Sequence, residues 1–444
     1  MAKTSIFDSK IVPVDSLDIF DKEKLTCSII DTQEFSLLPS LTVTHGSPVV
    51  FEIPSQTTSF LSPNMYIDVV LTVQKKVKDK EEYEGVSSTD KMTLEAFPFH
   101  TLWSTVQIAM NDVVINNKND KYPYLAYFDR AHLTDEETHK IYRDLEVGEL
   151  NEAGTSPDAT GTEQDKRRQL ITSDQFLFLR GKLVIPILQQ SRYFLPSTNI
   201  TITLYPTDDK FRVVTEDETL KLKVNMKSIR LIGHRLIPNA QLLLDTMNAL
   251  SEMKARYPIL RFEPQLFEIP AQSQICEKIL TLPTSKVPRM VFLSTFDSDG
   301  VYGKQSKSAY RAKATFLESV YIQIEDQKYP TVPYNGTTRE GQIKMFSDYK
   351  QNTSQLMGGK MNMMDFDRYS KDHAMVSINL DRFHGTERTT SDTDPSAVTL
   401  PRTGSCSLHI KTSSPLSQTR AVIAILVYND TITFNESGVP HSDY

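Results

Sequence analysis

Histidines, cysteines and paired carboxylates are the side chains from which metal centres and nucleophilic sites are built, and in this chain they are spread thin. Nine histidines, among them His45, His100, His234, His373, His384 and His409, stand far apart rather than at the close spacing that puts ligands on one helix turn or strand face. Each reads as a surface residue or an imidazole satisfied inside the core. Cys27, Cys276 and Cys406 lack metal-ligand spacing and read as buried thiols of a reducing compartment. Asp297-x-Asp299-Gly300 opens like a calcium loop but lacks the completing ligands, and Asp365-x-Asp367 is weaker still. Glu136-Glu137 reads as a solvated face. Gly181-Lys182 and Gly303-Lys304 lack the upstream glycine and the following Ser or Thr of a phosphate-cradling loop. There is no zincin pair of histidines and no Gly-x-Ser-x-Gly elbow. The methionines of Met357 to Met364 read as an adaptable contact rather than metal ligands. The expectation is therefore no catalytic residue, no cofactor site and no metal site, in a protein that is not an enzyme.

With chemistry absent, the elements carry the information. At 444 residues the chain exceeds what one core usually serves, so two domains of about 200 residues each are expected. The 18 Tyr, 21 Phe and 23 Pro favour strands and shaped loops over long helices. A net charge of −7 argues against a polyanion as main partner, and the mixed charges of Lys75 to Lys91 read as a solvated loop. No charged-then-apolar leader opens the sequence, and its longest apolar run, Ala421 to Tyr428, has strand length. The protein is expected to be made in the cytosol, leaving Asn199-Ile200-Thr201 and Asn335-Gly336-Thr337 unglycosylated.

A β-rich unit is written twice. Phe51-Glu52-Ile53-Pro54 returns at Phe267-Glu268-Ile269-Pro270, and Leu102, Val106, Ile108 and Met110 line up with Phe316, Val320, Ile322 and Ile324, ahead of the turns Asn111-Asp112 and Glu325-Asp326. Each half continues with a helix-like segment, Tyr122 to Tyr142 or Arg339 to Gln351, then a loop and further strand-like runs.

Residues 1–25 read as an arm anchored by Leu17-Asp18-Ile19-Phe20, residues 26–237 as a first unit, 238–254 as a linking helix, 255–435 as a second unit and 436–444 as a loose tail. In the first unit, strands are expected within 26–43, 49–53, 66–77, 94–110, 176–188, 199–205 and 220–232, with Val113-Val114-Ile115 closing a hairpin. Asn151 to Gln169 reads as a long exposed loop, and Thr386 to Gly404 as another polar excursion. Seven or eight short strands per unit, some separated by long loops, suit a jelly roll better than an immunoglobulin-like sandwich. The fold class expected is all-β: two tandem eight-stranded antiparallel jelly rolls with short helices in loops.

The chain resembles the double jelly-roll major capsid proteins of Maverick (Polinton) elements and adintoviruses, a hexon-like family. The likeness runs from Leu17-Asp18-Ile19-Phe20 through Pro48 to Pro54, Tyr66-Ile67-Asp68, Leu102-Trp103-Ser104-Thr105-Val106 and Tyr122-Pro123-Tyr124-Leu125-Ala126-Tyr127. It continues at Tyr257-Pro258-Ile259-Leu260-Arg261, Phe267 to Pro270, Pro288-Arg289-Met290-Val291, Gln327 to Pro330 and Ala421 to Tyr428. Asp112 departs from it, standing where a turn glycine is expected.

The resemblance implies a homotrimer of two-domain subunits, a pseudo-hexameric capsomer that tiles an icosahedral shell around double-stranded DNA, with the arm and long loops exchanged between neighbours. It further implies a penton protein and minor capsid proteins as partners, no sequence-specific contact with nucleic acid, and a place in the virion capsid after synthesis in the host cytoplasm and assembly there or in the nucleus. The alternative from another class is a carbohydrate- or receptor-binding β-sandwich module.

Overall fold

The structure is a computed structural model that describes residues 28–77, 81–87, 89–116, 121–151, 162–173, 176–217, 219–283, 285–380, 402–435 and 438–442. The arm before Ser28, Cys27, His384 and most of the excursion from Thr386 lie outside the described residues.

Eight principal strands precede residue 240: β1 (Ile29–Leu37), β2 (Val49–Ile53), β3 (Tyr66–Lys76), β4 (Trp103–Met110), β5 (Val113–Val114), β6 (Leu177–Gly181), β7 (Ile200–Pro206) and β8 (Leu222–Pro238). They form two antiparallel sheets, β1-β8-β3-β6 and β2-β7-β4-β5. Eight more follow: β9 (Ala255–Ile269), β10 (Ile275–Ile279), β11 (Met290–Asp297), β12 (Leu317–Ile324), β13 (Gln327–Tyr334), β14 (Val376–Asn379), β15 (Cys406–Thr412) and β16 (Arg420–Phe434). Their sheets, β9-β16-β11-β14 and β10-β15-β12-β13, repeat the same order. First, eighth, third and sixth strands in one sheet, second, seventh, fourth and fifth in the other, is the jelly-roll arrangement. The chain holds it twice.

Strand chemistry follows from alternation. In β3 the residues Ile67, Val69, Leu71 and Val73 point inward and are buried, with Asp68 and Val70 only partly covered on the other face. The hairpin between β4 and β5 turns through Asn111 and Asp112, both left-handed, at φ 46° and 65°. Asp tolerates that region far better than most side chains do, which explains how it can stand where a glycine is expected.

The doubling is real, but one of its two sequence signals is misplaced. Leu102 to Met110 and Phe316 to Ile324 fall on β4 and β12, the fourth strand of each sandwich. By contrast, Phe51-Glu52-Ile53-Pro54 ends β2, the second strand, whereas Phe267-Glu268-Ile269-Pro270 ends β9, the first strand of its unit. The true partner of β2 is β10. An in-out-in pattern stopped by proline describes any strand running into a loop, so the tetrapeptide marks a strand end rather than a repeat position.

Other expectations change in detail. The segment from Tyr122 to Tyr142 is helical in three pieces, Tyr122–Tyr127, a π turn over Phe128–His132, and Glu136–Glu146, whose start is capped by Asp135 accepting from the Thr138 amide at 2.9 Å. The counterpart helix runs to Leu356. The stretch read as an exposed loop contains the helix Glu163–Ser173, with Arg167 fully buried and Ile171 nearly so. Its inward face is mostly polar, so no apolar periodicity announced it. Within Lys75 to Lys91, Tyr83–Gly85 pairs with β3 instead of remaining loop. Nor is all of the tail loose: Pro440–Ser442 pairs with β16, and the Gly438 carbonyl accepts from Asn111 Nδ2 at 2.7 Å.

Two apolar cores result, and each borrows from the other half of the chain. Tyr257 and Ile259 of β9, with Ile432 and Phe434 of β16, pack into the core of the first sandwich. Phe97, Tyr124, Tyr127, Phe128 and Leu150 pack into the core of the second. Strands β9 and β16 pair over 15 positions, from Ala255 opposite Phe434 to Ile269 opposite Arg420, which carries their far ends onto the neighbour. The helix Ala240–Glu252, between β8 and β9, buries none of its residues.

Candidate functional site

The seam between the sandwiches is where polar chemistry concentrates. Its aromatic floor is Tyr127 stacked on Tyr310, with centroids 5.0 Å apart and planes 7° from parallel, and Phe128 against Phe292 at 4.8 Å. Helical residues from the first half thus lie on strand and loop residues from the second.

Around that floor run three buried networks. Glu146 accepts from Arg130 Nε at 2.9 Å and Nη2 at 3.0 Å, from the Lys182 amide at 3.1 Å and from His100 Nε2 at 3.0 Å. Arg130 also donates to the Lys182 carbonyl at 3.0 Å and to Asp129 at 2.6 Å, and covers the Tyr142 ring at 3.8 Å. The Tyr122 hydroxyl donates to His100 Nδ1 at 3.0 Å and accepts from the Val184 amide at 3.3 Å. Burial alone would raise the Glu146 carboxyl, but the Arg130 guanidinium and His100 outweigh it and hold the group at about 2. Burial lowers His100 despite Glu146, so the imidazole is a neutral donor rather than half of an ion pair.

The second network crosses the seam. The Glu95 carboxylate accepts from the Ala96 amide at 2.8 Å, Asn151 Nδ2 at 2.7 Å, Ser308 Oγ at 3.0 Å and the Ala309 amide at 2.9 Å. Arg167 donates to the carbonyls of Leu94 at 3.1 Å and Glu149 at 3.0 Å and to Asn151 Oδ1; burial pushes it down to about 10.

In the third network His132 Nδ1 meets the Tyr349 hydroxyl at 2.7 Å, and Asn362 Nδ2 donates to the His132 carbonyl at 2.8 Å. Nearby, the Tyr127 hydroxyl meets His373 Nδ1 at 3.1 Å. Burial pushes His373 down to about 4, and burial with the charges near it pushes His132 well below its ordinary value.

These groups resemble catalytic constellations only in residue type. Glu146, Arg130, His100 and Glu95 are 0–2% exposed, and every carboxylate oxygen of Glu146 and Glu95 is taken by a protein donor. A substrate could neither reach them nor find a free acceptor, and what such networks supply is a unique packing of the seam.

An acid titration follows. His100, His132 and His373 have folded pKa values below the ordinary 6.5, so the unfolded chain binds protons more readily. Their contribution is complete above about pH 6.5 and is lost as pH falls toward the folded values, near 4 for His373. Each group is worth about 1.4 kcal/mol per pH unit in that window. Unfolding free energies from urea titrations are therefore expected to be level above about pH 6.5 and to fall below it, by at most roughly 4 kcal/mol per pH unit if all three titrate together. A flat profile would show that these imidazoles titrate in the folded protein as they do in the unfolded chain.

The residues singled out by type stay apart. Asp297 and Asp299 are bridged by Lys307 Nζ at 2.9 and 3.0 Å, an ammonium where a calcium ion would sit. Asp365 caps the helix Phe366–Asp372 by accepting from the Arg368 amide at 2.8 Å, and Asp367 pairs with Lys371 at 2.7 Å. Glu136 is exposed and pairs with Lys140 at 3.0 Å. A Cβ on Gly181 would meet the Phe99 ring at 2.4 Å, so close packing accounts for that glycine. His45 meets Asp209 at 3.1 Å, His234 meets Glu34 at 3.5 Å, and His409 stacks on Tyr321. Cys276 is half-buried and Cys406 buried, both free thiols. Among the described residues no three His, Cys, Asp or Glu gather as metal ligands.

Sequence reading missed Glu95, Arg130, Glu146, Asn151 and Arg167. The one available signal was Leu94-Glu95-Ala96-Phe97, a lone carboxylate in an apolar run.

No protein-family profile matches the chain. Solved structures of similar fold include that of the Sputnik virophage, with a TM-score of 0.67 and 9% identity over 97% of this chain and 92% of that one. The mavirus major capsid protein aligns with a TM-score of 0.56 and 10% identity over 92% and 90%, and the Faustovirus major capsid protein with 0.57 and 9% over 93% and 92%. At such identity the likeness is one of fold, and it spans both jelly rolls. An uncharacterised protein of Caenorhabditis elegans is 22% identical over 246 residues, 53% of this chain and 55% of that protein, so the match spans about half of that relative.

Proposed function

We propose that the protein is a major capsid protein of the kind carried by Maverick (Polinton) elements, trimerising into pseudo-hexameric capsomers that tile an icosahedral shell around double-stranded DNA. The observation that carries this is the pair of sandwiches with one strand order, locked together by exchanged core residues. Two such bodies per chain and three chains around an axis give six near-equivalent edges, and closed symmetry is how such oligomers form. The fold likeness to two viral major capsid proteins over nine-tenths or more of the chain supports the same reading. So does the sequence: Tyr124 and Tyr127, and Tyr257 and Ile259, within the stretches that carry the family resemblance, are residues of the exchanged packing.

Self-association is then the principal activity, with penton and minor capsid proteins as further partners in the virion. The buried networks serve by fixing the angle between the two bodies, which a tile must keep constant. The mass in solution is expected to be three times the 50.5 kDa of the chain, with growth into sheets or shells at higher concentration. A monomer at micromolar concentration that never assembles would sink the reading.

A further inference from the structure

The two outer edges of the sheet β10-β15-β12-β13 are finished differently. One edge strand, β13, carries Pro330 and Pro333, which cannot donate to a further strand. The other, β10, has no proline, and among the described residues nothing pairs with its free side. The Thr412 amide donates to the Gln274 carbonyl and the Leu280 amide to the Cys406 carbonyl, both at 2.9 Å, so the even-numbered residues bond toward β15. Bonding to one neighbour alternates along an antiparallel strand. Ile275, Glu277 and Ile279 therefore turn their amides and carbonyls away from the sheet.

The same three side chains share one face of the sheet, opposite Lys411, His409 and Ser407. Ile275 and Ile279 are 64% and 69% exposed, and Glu277 between them meets His409 at 3.3 Å. Short length and charge are ordinary guards against edge pairing, but a guarded edge gains nothing from two bare isoleucines. In the first sandwich the counterpart strand β2 is covered by its own chain: the Ser40 amide and hydroxyl donate to the Val50 carbonyl at 2.8 and 3.0 Å, from the connection over residues 38–48. The connection before β10, residues 270–274, is too short to fold back along it.

A second copy of β10 fits this edge badly. With Ile275 opposite Ile279, Glu277 would stand opposite Glu277, and like charges so placed repel. Complementarity asks instead for a cation between two apolar side chains. We infer that β10 is a docking edge for an extended segment of a different protein, with Lys or Arg at its centre and an apolar residue two positions to either side, which adds a fifth strand to the sheet. Main-chain bonds to Ile275, Glu277 and Ile279 hold the segment, and the Glu277 carboxylate selects its centre. This goes beyond the capsid reading and does not rest on it.

Fluorescence anisotropy of a labelled peptide, acetyl-Thr-Val-Thr-Arg-Thr-Val-Thr-amide, titrated with the full chain at low ionic strength, tests it. Saturable binding below about 1 mM is expected. Amide exchange at Ile275, Glu277 and Ile279 should run near free-chain rates before peptide is added and about tenfold more slowly at saturation. Methylating the backbone nitrogen of the peptide's arginine removes the central main-chain donor and should weaken binding by about fivefold or more. Glu277→Lys, an exposed substitution that leaves the core untouched, should reverse the preference, so that the same peptide with Glu at its centre binds better than the Arg form. Failure to saturate, an unchanged preference in Glu277→Lys, or binding that leaves the three amides unprotected would overturn the proposal. Protection that appears without peptide and rises with protein concentration would give the edge to a second copy and overturn it too.

Discussion

Residues 26–254 and 255–435, expressed as separate chains, are expected not to fold, although each contains all eight strands of a complete jelly roll. The reason lies in what each would lose. The first fragment would lack Tyr257, Ile259, Ile432 and Phe434, and the second Phe97, Tyr124, Tyr127, Phe128 and Leu150, all buried in the intact chain. At about 1.5–3 kcal/mol for each large apolar side chain, the exchanged set is worth roughly 15–25 kcal/mol. Even discounted for a compact unfolded state, that exceeds the roughly 5–15 kcal/mol by which domains are usually stable. Glu95 would also lose Ser308 and Ala309, leaving a buried carboxylate short of two donors. Near-UV circular dichroism and dispersed amide spectra should be absent from each fragment and appear on co-expression. A fragment that melts cooperatively alone would mean the exchanged residues are decoration.

That expectation also marks the limit of reading by domain. The boundary between Pro238 and Ala255 is visible in the chain because Asn239 and a helical pattern separate two strand-rich stretches. Where the cores divide was not visible, since β9 and β16 look like ordinary strands whichever sandwich their ends touch. Local alternation reports that one face is buried, not against what.

The same reasoning explains which site residues were legible. The carboxylates beside lysines, Asp297, Asp299, Asp367 and Glu136, have local partners, and reading them as unremarkable charges needed only nearby sequence. The seam networks join residues 16 to 230 positions apart, such as Arg130 with Glu146 and His132 with Asn362. Apart from Glu95 in its apolar run, nothing local tells a buried carboxylate from a solvated one. The helix Glu163–Ser173 shows it best: Arg167 and Gln164 face inward, so the pattern that normally reveals a helix is inverted. Two copies of one strand order survived this because strand order depends on where runs begin and end, which turns such as Asn111-Asp112 announce.

Glu146→Ala is expected to be the most damaging single substitution. Arg130 is 2% exposed and would keep Asp129 as its one carboxylate, while its Nε and one Nη2 bond lose their acceptor. The Lys182 amide and His100 Nε2 would be orphaned as well. Breaking a buried pair from one side costs about 3–5 kcal/mol, because the remaining charge is neither solvated nor paired. Glu146→Gln keeps the shape and one acceptor but turns an amide group toward Arg130, so a smaller loss is expected. The double variant Arg130→Met/Glu146→Leu removes both charges together and should lose less than the sum of its single variants. Urea unfolding at pH 7.5 of the unaltered protein, Arg130→Met, Glu146→Leu and the double variant measures the coupling directly. Limited proteolysis near residues 136–146 then shows whether the helical insert comes loose before the sandwiches do. Should Glu146→Ala lie within 1 kcal/mol of the unaltered protein, the pair would be a bystander, and the insert would be held by Phe128, Tyr127 and Tyr124 alone.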